Sequence, residues 1–209
     1  VDHFEAVGAQ RRAVADLCEG LTRSQQATPS LCDAWTVHGV LAHLVMPITV
    51  PLRRVVAEMV RAKGDFNRAN VTLTNRVAES SWPELIELLR ANADSHFTPP
   101  GLDWRAPLAD SYLHALDMCV PLGLGAPGAL EEWPTILDFL TSAKARRGFV
   151  GRELPSLALI ATDVAWSSGA GPEVRAPAST LGLVLVRRRA RLDELSGDGA
   201  DELRRWVAA

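Results

Sequence analysis

The 209-residue sequence predicts an α+β fold: a four-helix bundle over residues 1–147, then a small α/β domain over 148–209. Three observations point there. Up to about Lys144, apolar residues recur at helical spacing between clear start and stop signals. After Gly148, short apolar runs alternate with glycine- and proline-rich turns. Two histidines and an aspartate lie within two of the expected helices, and bundle cores do host sites built from such residues.

The first helix runs from Phe4 to Leu21, with Val7, Val14, Leu17, Cys18 and Leu21 on its apolar face. Thr28-Pro29-Ser30 breaks the chain. Thr36 is a fitting N-cap for a helix passing through His43 toward Ala62, which Pro47 and Pro51 should kink or split and Gly64-Asp65 should end. A shorter helix is expected over Asn67–Ala78. Ser81-Trp82-Pro83-Glu84 starts another, running to about Phe97: a serine cap, a proline in the first turn and an acidic residue at the positive helix end. Pro99-Pro100-Gly101 is a break. The next helix covers Pro107–Leu122, closed by Gly123 and Gly125, and another follows over Leu130–Lys144. Beyond it, 157–164 reads as a strand, 166–172 as a turn, 173–176 as a second strand and 179–187 as a helix. Residues 192–206 hold a turn and a short amphipathic helix.

The hydrophobic share of 47% and charged share of 22% are those of an ordinary globular chain, and a net charge of -3 argues against nucleic-acid binding, which needs a basic surface. Arg187-Arg188-Arg189 is basic, but carboxylates follow at Asp193, Glu194, Asp198, Asp201 and Glu202, so a solvated helix end accounts for it. The start Val-Asp-His-Phe-Glu lacks the features of a signal peptide. The most apolar stretch, Val37–Leu52, is interrupted by His38, His43, Pro47 and Pro51 and is too short to span a bilayer. A cytoplasmic protein is expected, without a membrane partner. Cys18, Cys32 and Cys119 are odd in number, widely spaced and without a CxxC, so reduced thiols are expected. Cys18 and Cys119 fit core positions. Cys32, ahead of a helix start, is expected to be more exposed, and its role stays open.

Asp110 and His114 stand four residues apart, which on a helix puts both on one face. His43 sits inside an otherwise apolar helical stretch. Two imidazoles and one carboxylate brought together would suit a divalent metal with an open coordination position, the catalytic pattern. Spacing alone leaves the alternative open, since D-x3-H also occurs on solvated faces and a lone histidine also packs in cores. Asp117, three residues after His114, fits either an acceptor that orients this histidine or a solvent-facing turn. His3 is near a terminus, His38 points to another face than His43, and His96 near a helix end fits a dipole interaction. Trp35 fits a hydrophobic staple ahead of the helix. Gly169-Ala170-Gly171 lacks the strand and helix context of a phosphate loop, and the absence of G-x-S-x-G argues against a serine hydrolase.

Three segments carry a resemblance. They are Cys32-Asp33-Ala34-Trp35-Thr36-Val37 with Leu41-Ala42-His43-Leu44; Asp110 through His114 to Asp117 with Leu122-Gly123; and a C-terminal set. That set comprises Ala161-Thr162-Asp163-Val164-Ala165-Trp166, Gly169-Ala170-Gly171-Pro172-Glu173-Val174 and Leu192-Asp193-Glu194-Leu195-Ser196-Gly197-Asp198-Gly199. In this order the chain resembles the mycothiol-dependent maleylpyruvate isomerase family, among the metal-binding DinB-like four-helix bundles. The resemblance implies a DinB-like bundle with a metal, typically zinc, on His43, Asp110 and His114. It also implies a C-terminal α/β domain in which Arg188 falls near a signature arginine and would bind a substrate carboxylate, a surface charge being the alternative. The family's characterised isomerases carry glutamate where this chain has Asp110. The implied cosubstrate is mycothiol, the small thiol of actinobacteria. Its thiolate would add to a conjugated double bond, permit rotation and leave, as in maleylpyruvate isomerisation, or attack another small electrophile as an S-transferase would. A non-catalytic metal-binding protein with a regulatory or interaction role is the alternative. Asp110 in place of glutamate favours it, as does Met118-Cys119-Val120 where related sequences often carry basic residues.

Overall fold

The computed structural model describes residues 3–146 and 150–209. The fold is α+β, as expected: mostly helical, with one small sheet. The chain forms two compact units, one of residues up to Phe97 with Asp110–Pro127, the other of Thr98–Ala109 with Gly128–Ala209. The expected boundary at residues 147 and 148 lies outside the described residues.

In the first unit, α1 (Phe4–Glu19) is followed by the single turn α2 (Arg23–Gln26), which Thr22 and Gln25 close with a reciprocal capping box. The helix starting at Thr36 does not continue to Ala62. It divides into α3 (Val37–Thr49) and α4 (Leu52–Arg61), bent 116° apart. Pro51 is the cause: its ring biases Val50 to the extended backbone observed there (ψ 120°). Pro47 is tolerated inside α3, at the loss of the bond its N–H would give to the His43 carbonyl. Then come α5 (Phe66–Val77), capped by Asp65 onto the Arg68 N–H, and α6 (Trp82–Ala91). The latter stops six residues short of Phe97, and its proline-containing first turn lies where expected. α1 packs on α6, α3 on α5 and α6, and α4 on α5. Val14, Cys18, Val40, Leu41, Val45, Leu85, Leu89 and Met118 form the core.

α7 (Arg105–Leu122) starts two residues before the expected Pro107, because the Asp103 carboxylate accepts from the Arg105 N–H and takes up a bond the helix start would otherwise lack. It is buried from Ala106 to Cys119 with one interruption, the half-buried Asp110. A helix covered all round is a core helix, and any polar residue on it must find partners there.

In the second unit, a 3₁₀ turn (Leu130–Glu132) precedes α8 (Trp133–Thr141), and Ser142 in extended backbone ends that helix and caps α9 (Ala143–Ala145). The sheet has the order β2-β1-β3. β1 (Ala158–Ala161) pairs antiparallel with β2 (Ser167–Ser168) and parallel with β3 (Glu173–Ala176). β1 is shorter than the expected strand, and β2 lies in the expected turn. Gly169 (φ +83°) and Gly171 (φ +131°) press against the carbonyls of Leu157 and Ser156, where a Cβ would collide, so these glycines serve backbone packing. α10 (Ala178–Leu185) packs on α8, ending where Arg187 turns left-handed (φ 63°). α11 (Ala200–Ala208) completes the unit. Among the described residues no single helix is long and apolar enough to cross a membrane.

Candidate functional site

The site is built on α3 and α7 in the first unit. His43 lies on α3, while Asp110 and His114, one turn apart, lie on α7. Asp110 Oδ1 is 3.8 Å from His43 Nε2 and 3.4 Å from His114 Nε2. Both imidazoles are buried, and Asp110 keeps 26% of its side chain exposed, which leaves the carboxylate as the wet edge of the group. One donor atom from each of the three residues fits within 4.8 Å. A tetrahedral metal with bonds of about 2.1 Å sets neighbouring donors about 3.4 Å apart, close to both separations measured from Asp110.

The far sides of the two rings are held. His114 Nδ1 donates to Asp117 Oδ2 at 2.9 Å, which leaves Nε2 to face Asp110. Asp117 is fully buried, so the solvent-facing alternative for it is excluded. His43 Nδ1 faces Thr74 Oγ1 on α5 at 3.4 Å. Trp35 stacks on the His43 ring at 4.7 Å and 21°, a more specific role than a staple. The two imidazoles meet edge to face at 4.6 Å.

Cys32 is buried, against the expectation of exposure, and its thiol donates to Asp117 Oδ2 at 3.0 Å. The cause is a compact turn. Ser30 Oγ donates to the Trp35 carbonyl and accepts from the Cys32 N–H, while the Leu31 N–H donates to the Asp117 carbonyl. This turn ties the segment to α7 and delivers both Cys32 and Trp35 to the histidines. Cys18 and Cys119 are core residues, and no cysteine forms a disulfide.

Burial alone would keep all three groups neutral. In His114, burial is outweighed by the charge of Asp110 and by bonding to Asp110, Asp117 and Cys32, which hold it well above the usual histidine range. In His43 burial wins and the pKa falls. Burial raises Asp110, but the charge of His114 and the contacts with both imidazoles hold its carboxyl below the usual range. Without a metal these directions favour a charged Asp110–His114 pair and a neutral His43. Arg11 is buried on α1 within electrostatic reach of Asp110, donating to the carbonyls of Ala93 and Ser95.

Arg188 belongs to the second unit. It follows α10, half-buried, with its N–H bonded to the Leu183 carbonyl. His38 Nε2 lies 3.1 Å from the Ala78 carbonyl, away from His43 as expected. His96 lies beyond the end of α6 and stacks on Phe4 at 4.2 Å, so ring packing replaces the expected dipole interaction.

The family profile described as the mycothiol maleylpyruvate isomerase N-terminal domain matches residues 7–119, more than half of the chain. The chain belongs to this family. The match includes His43, Asp110, His114 and Asp117. Two solved structures share the fold. One is the crystal structure of the mycothiol-dependent maleylpyruvate isomerase (TM-score 0.62, 14% identity, covering 95% of this chain and 92% of that chain). The other is a histidine-to-alanine mutant of that isomerase (TM-score 0.60, 14% identity, the same coverage). No curated protein matches by sequence.

Proposed function

We propose that the protein is a divalent-metal- and mycothiol-dependent enzyme, an isomerase or S-transferase acting on a small electrophile such as maleylpyruvate. The observation that carries this reading is the convergence of His43, Asp110 and His114 at metal-ligand separations in a member of this family. Two imidazoles and a carboxylate suit zinc, and three protein ligands leave a position open. A divalent cation held there would lower the pKa of a coordinated thiol and make thiolate available at neutral pH.

The chain's own residues then divide the work. Asp117 holds the Nδ1–H tautomer of His114, so the Nε2 lone pair is the one available as a ligand. His43, kept neutral by burial, offers its lone pair without losing a proton, whereas His114 must first release the proton it holds beside Asp110. Trp35 shields one face of His43 from water. For Arg188, binding of a substrate carboxylate rests on the resemblance alone, and an Arg188→Ala variant should raise KM more than it lowers kcat.

The test is metal content of the purified protein beside His114→Ala, followed by calorimetric titration with mycothiol. Near-stoichiometric metal absent from the variant, with mycothiol binding that disappears on metal removal, is the expected result. Metal without thiol affinity would favour a regulatory metal-binding protein. Absence of metal even after incubation with zinc would reject both readings.

A further inference from the structure

α4 leaves part of its apolar surface outside. Its apolar residues Leu52, Val56 and Val60 recur every four positions and are 69%, 53% and 73% exposed, while the residue it buries is a glutamate, Glu58. Between Val50 and Val77 stand six cations (Arg53, Arg54, Arg61, Lys63, Arg68 and Arg76) and two carboxylates (Glu58 and Asp65), in a chain whose net charge is -3. Four of these cations, Arg53, Arg54, Arg61 and Arg76, line a cleft of about 580 Å³ between α4 and α5. Val50, Ala57, Leu73 and Val77 supply its apolar lining.

Glu58 forms ion pairs with Arg76 at 2.9 Å and with Arg61 at 3.3 Å, and so holds two guanidinium groups at the cleft. One buried carboxylate cannot neutralise four cations. Arg53 and Arg54 have no ion-pair partner among the described residues, which leaves an excess of positive charge around a cavity with apolar walls. Adjacent guanidiniums repel each other, and an anion held between them relieves that repulsion and takes paired hydrogen bonds. The apolar lining disfavours a bare inorganic ion and suits a carbon skeleton.

We propose that this cleft binds a small organic dianion with an apolar body, such as an aromatic dicarboxylate. A second copy of the chain is the weaker occupant, because an isologous contact through α4 would set arginines against arginines. The inference does not depend on the metal reading. It has one structural link to that site: Leu73 lines the cleft, and its neighbour Thr74 touches His43.

The test is titration of the full chain, as purified, with phthalate and with benzoate, which share a ring and differ by one carboxylate. Binding is followed by calorimetry and by amide chemical shifts at low and high salt. Expected is at least about 10-fold tighter binding of phthalate, weakening with salt, and a loss of at least about 10-fold in the double variant R53Q/R54Q, as charge-assisted bonds of ordinary strength imply. Shifts should concentrate at Val50, Ala57, Leu73 and Val77, and binding should persist in His114→Ala. Both replaced arginines are exposed, so the double variant should keep the wild-type melting profile. Equal affinity for the two acids would overturn the proposal. So would phthalate binding indifferent to R53Q/R54Q, or shifts centred on His43 and His114 with binding lost in His114→Ala, which would place the anion at the histidine cluster instead.

Discussion

Replacing Asp117 by asparagine probes the site at its most enclosed point. The carboxylate is fully buried and accepts from His114 Nδ1 at 2.9 Å and from Cys32 Sγ at 3.0 Å. Asparagine keeps the shape and one acceptor oxygen but removes the charge. If His114 is a ligand, losing the carboxylate that orients it should weaken metal affinity about 10–100-fold, or about 1.4–2.7 kcal/mol. Without metal, the change withdraws one anionic partner from a protonated imidazole. Breaking a buried pair outright costs about 3–5 kcal/mol. Here Asp110 still faces Nε2 at 3.4 Å and the asparagine oxygen still accepts, so about 1–3 kcal/mol is expected, a drop in Tm of roughly 2–12 °C.

The sign with pH follows from the direction of the His114 shift. Its folded pKa lies above the ordinary value, so its stabilisation is fully present below about pH 6.5 and is lost as pH rises through the folded value. The Asp117→Asn penalty in metal-free protein should therefore be larger at pH 6 than at pH 9. Thermal melts at both pH values and competition with a chromophoric chelator measure the two effects. Unchanged metal affinity, or an equal melting penalty at both pH values, would refute the reasoning.

Metal uptake should release the His114 proton, so apparent affinity should fall as pH drops through the raised pKa of His114. Calorimetry in buffers of different ionisation enthalpy counts that proton, and a proton-neutral uptake would contradict the assignment. Gly39→Ala places a Cβ 2.8 Å from Trp35 Cβ and should push the indole off His43. Overpacking of about 1–3 kcal/mol should outweigh a helix gain of about 1 kcal/mol, and a raised Tm would count against it. Gly171→Ala should destabilise the second unit by about 1–3 kcal/mol or more, since its backbone is left-handed and its Cβ would strike the Ser156 carbonyl; a neutral melt would show that this turn relaxes. Burial pushes the Cys18 thiol up to about 12 and the Cys119 thiol up to about 11. Both should resist a thiol reagent at pH 8 until the protein is denatured, and fast labelling of either in the native state would show that the core opens.

Local rules locate helix starts better than they name the cap bond: Thr36 does accept from the Gly39 N–H, whereas Ser81, expected as a cap, precedes α6 without a side-chain capping bond. Helix ends were read less well. α6 stops at Ala91, although nothing between Asn92 and Phe97 forbids a further turn, and Arg11 shows what competes there. Its guanidinium takes the carbonyls of Ala93 and Ser95, backbone acceptors supplied by a bend after the helix. Arg11 was visible in hindsight, as a cation four residues after Val7 and three before Val14 on the apolar face of α1. Periodicity also shows that α4 has an apolar face, but not which face meets the protein, and there the buried residue is Glu58.

The candidate ligands were legible because imidazole and carboxylate are rare in apolar helices, so each stands out without knowledge of the fold. What holds those residues does not stand out. Thr74 is an ordinary helix residue, and nothing near it in sequence separates it from Thr72, whose hydroxyl turns back onto its own helix. Cys32 lies 82 residues from His114, and it reaches Asp117 only because Ser30, Leu31 and Trp35 fold a turn onto α7. A ligand is chosen by its own chemistry, whereas an orienting group is chosen by where a distant backbone delivers it. The same asymmetry ranks the substitutions. If His43, Asp110 and His114 hold a metal as proposed, removing any of them should abolish its binding, while changes at Cys32, Trp35 or Thr74 should alter affinity by degrees, because each acts through a ring that another contact still holds.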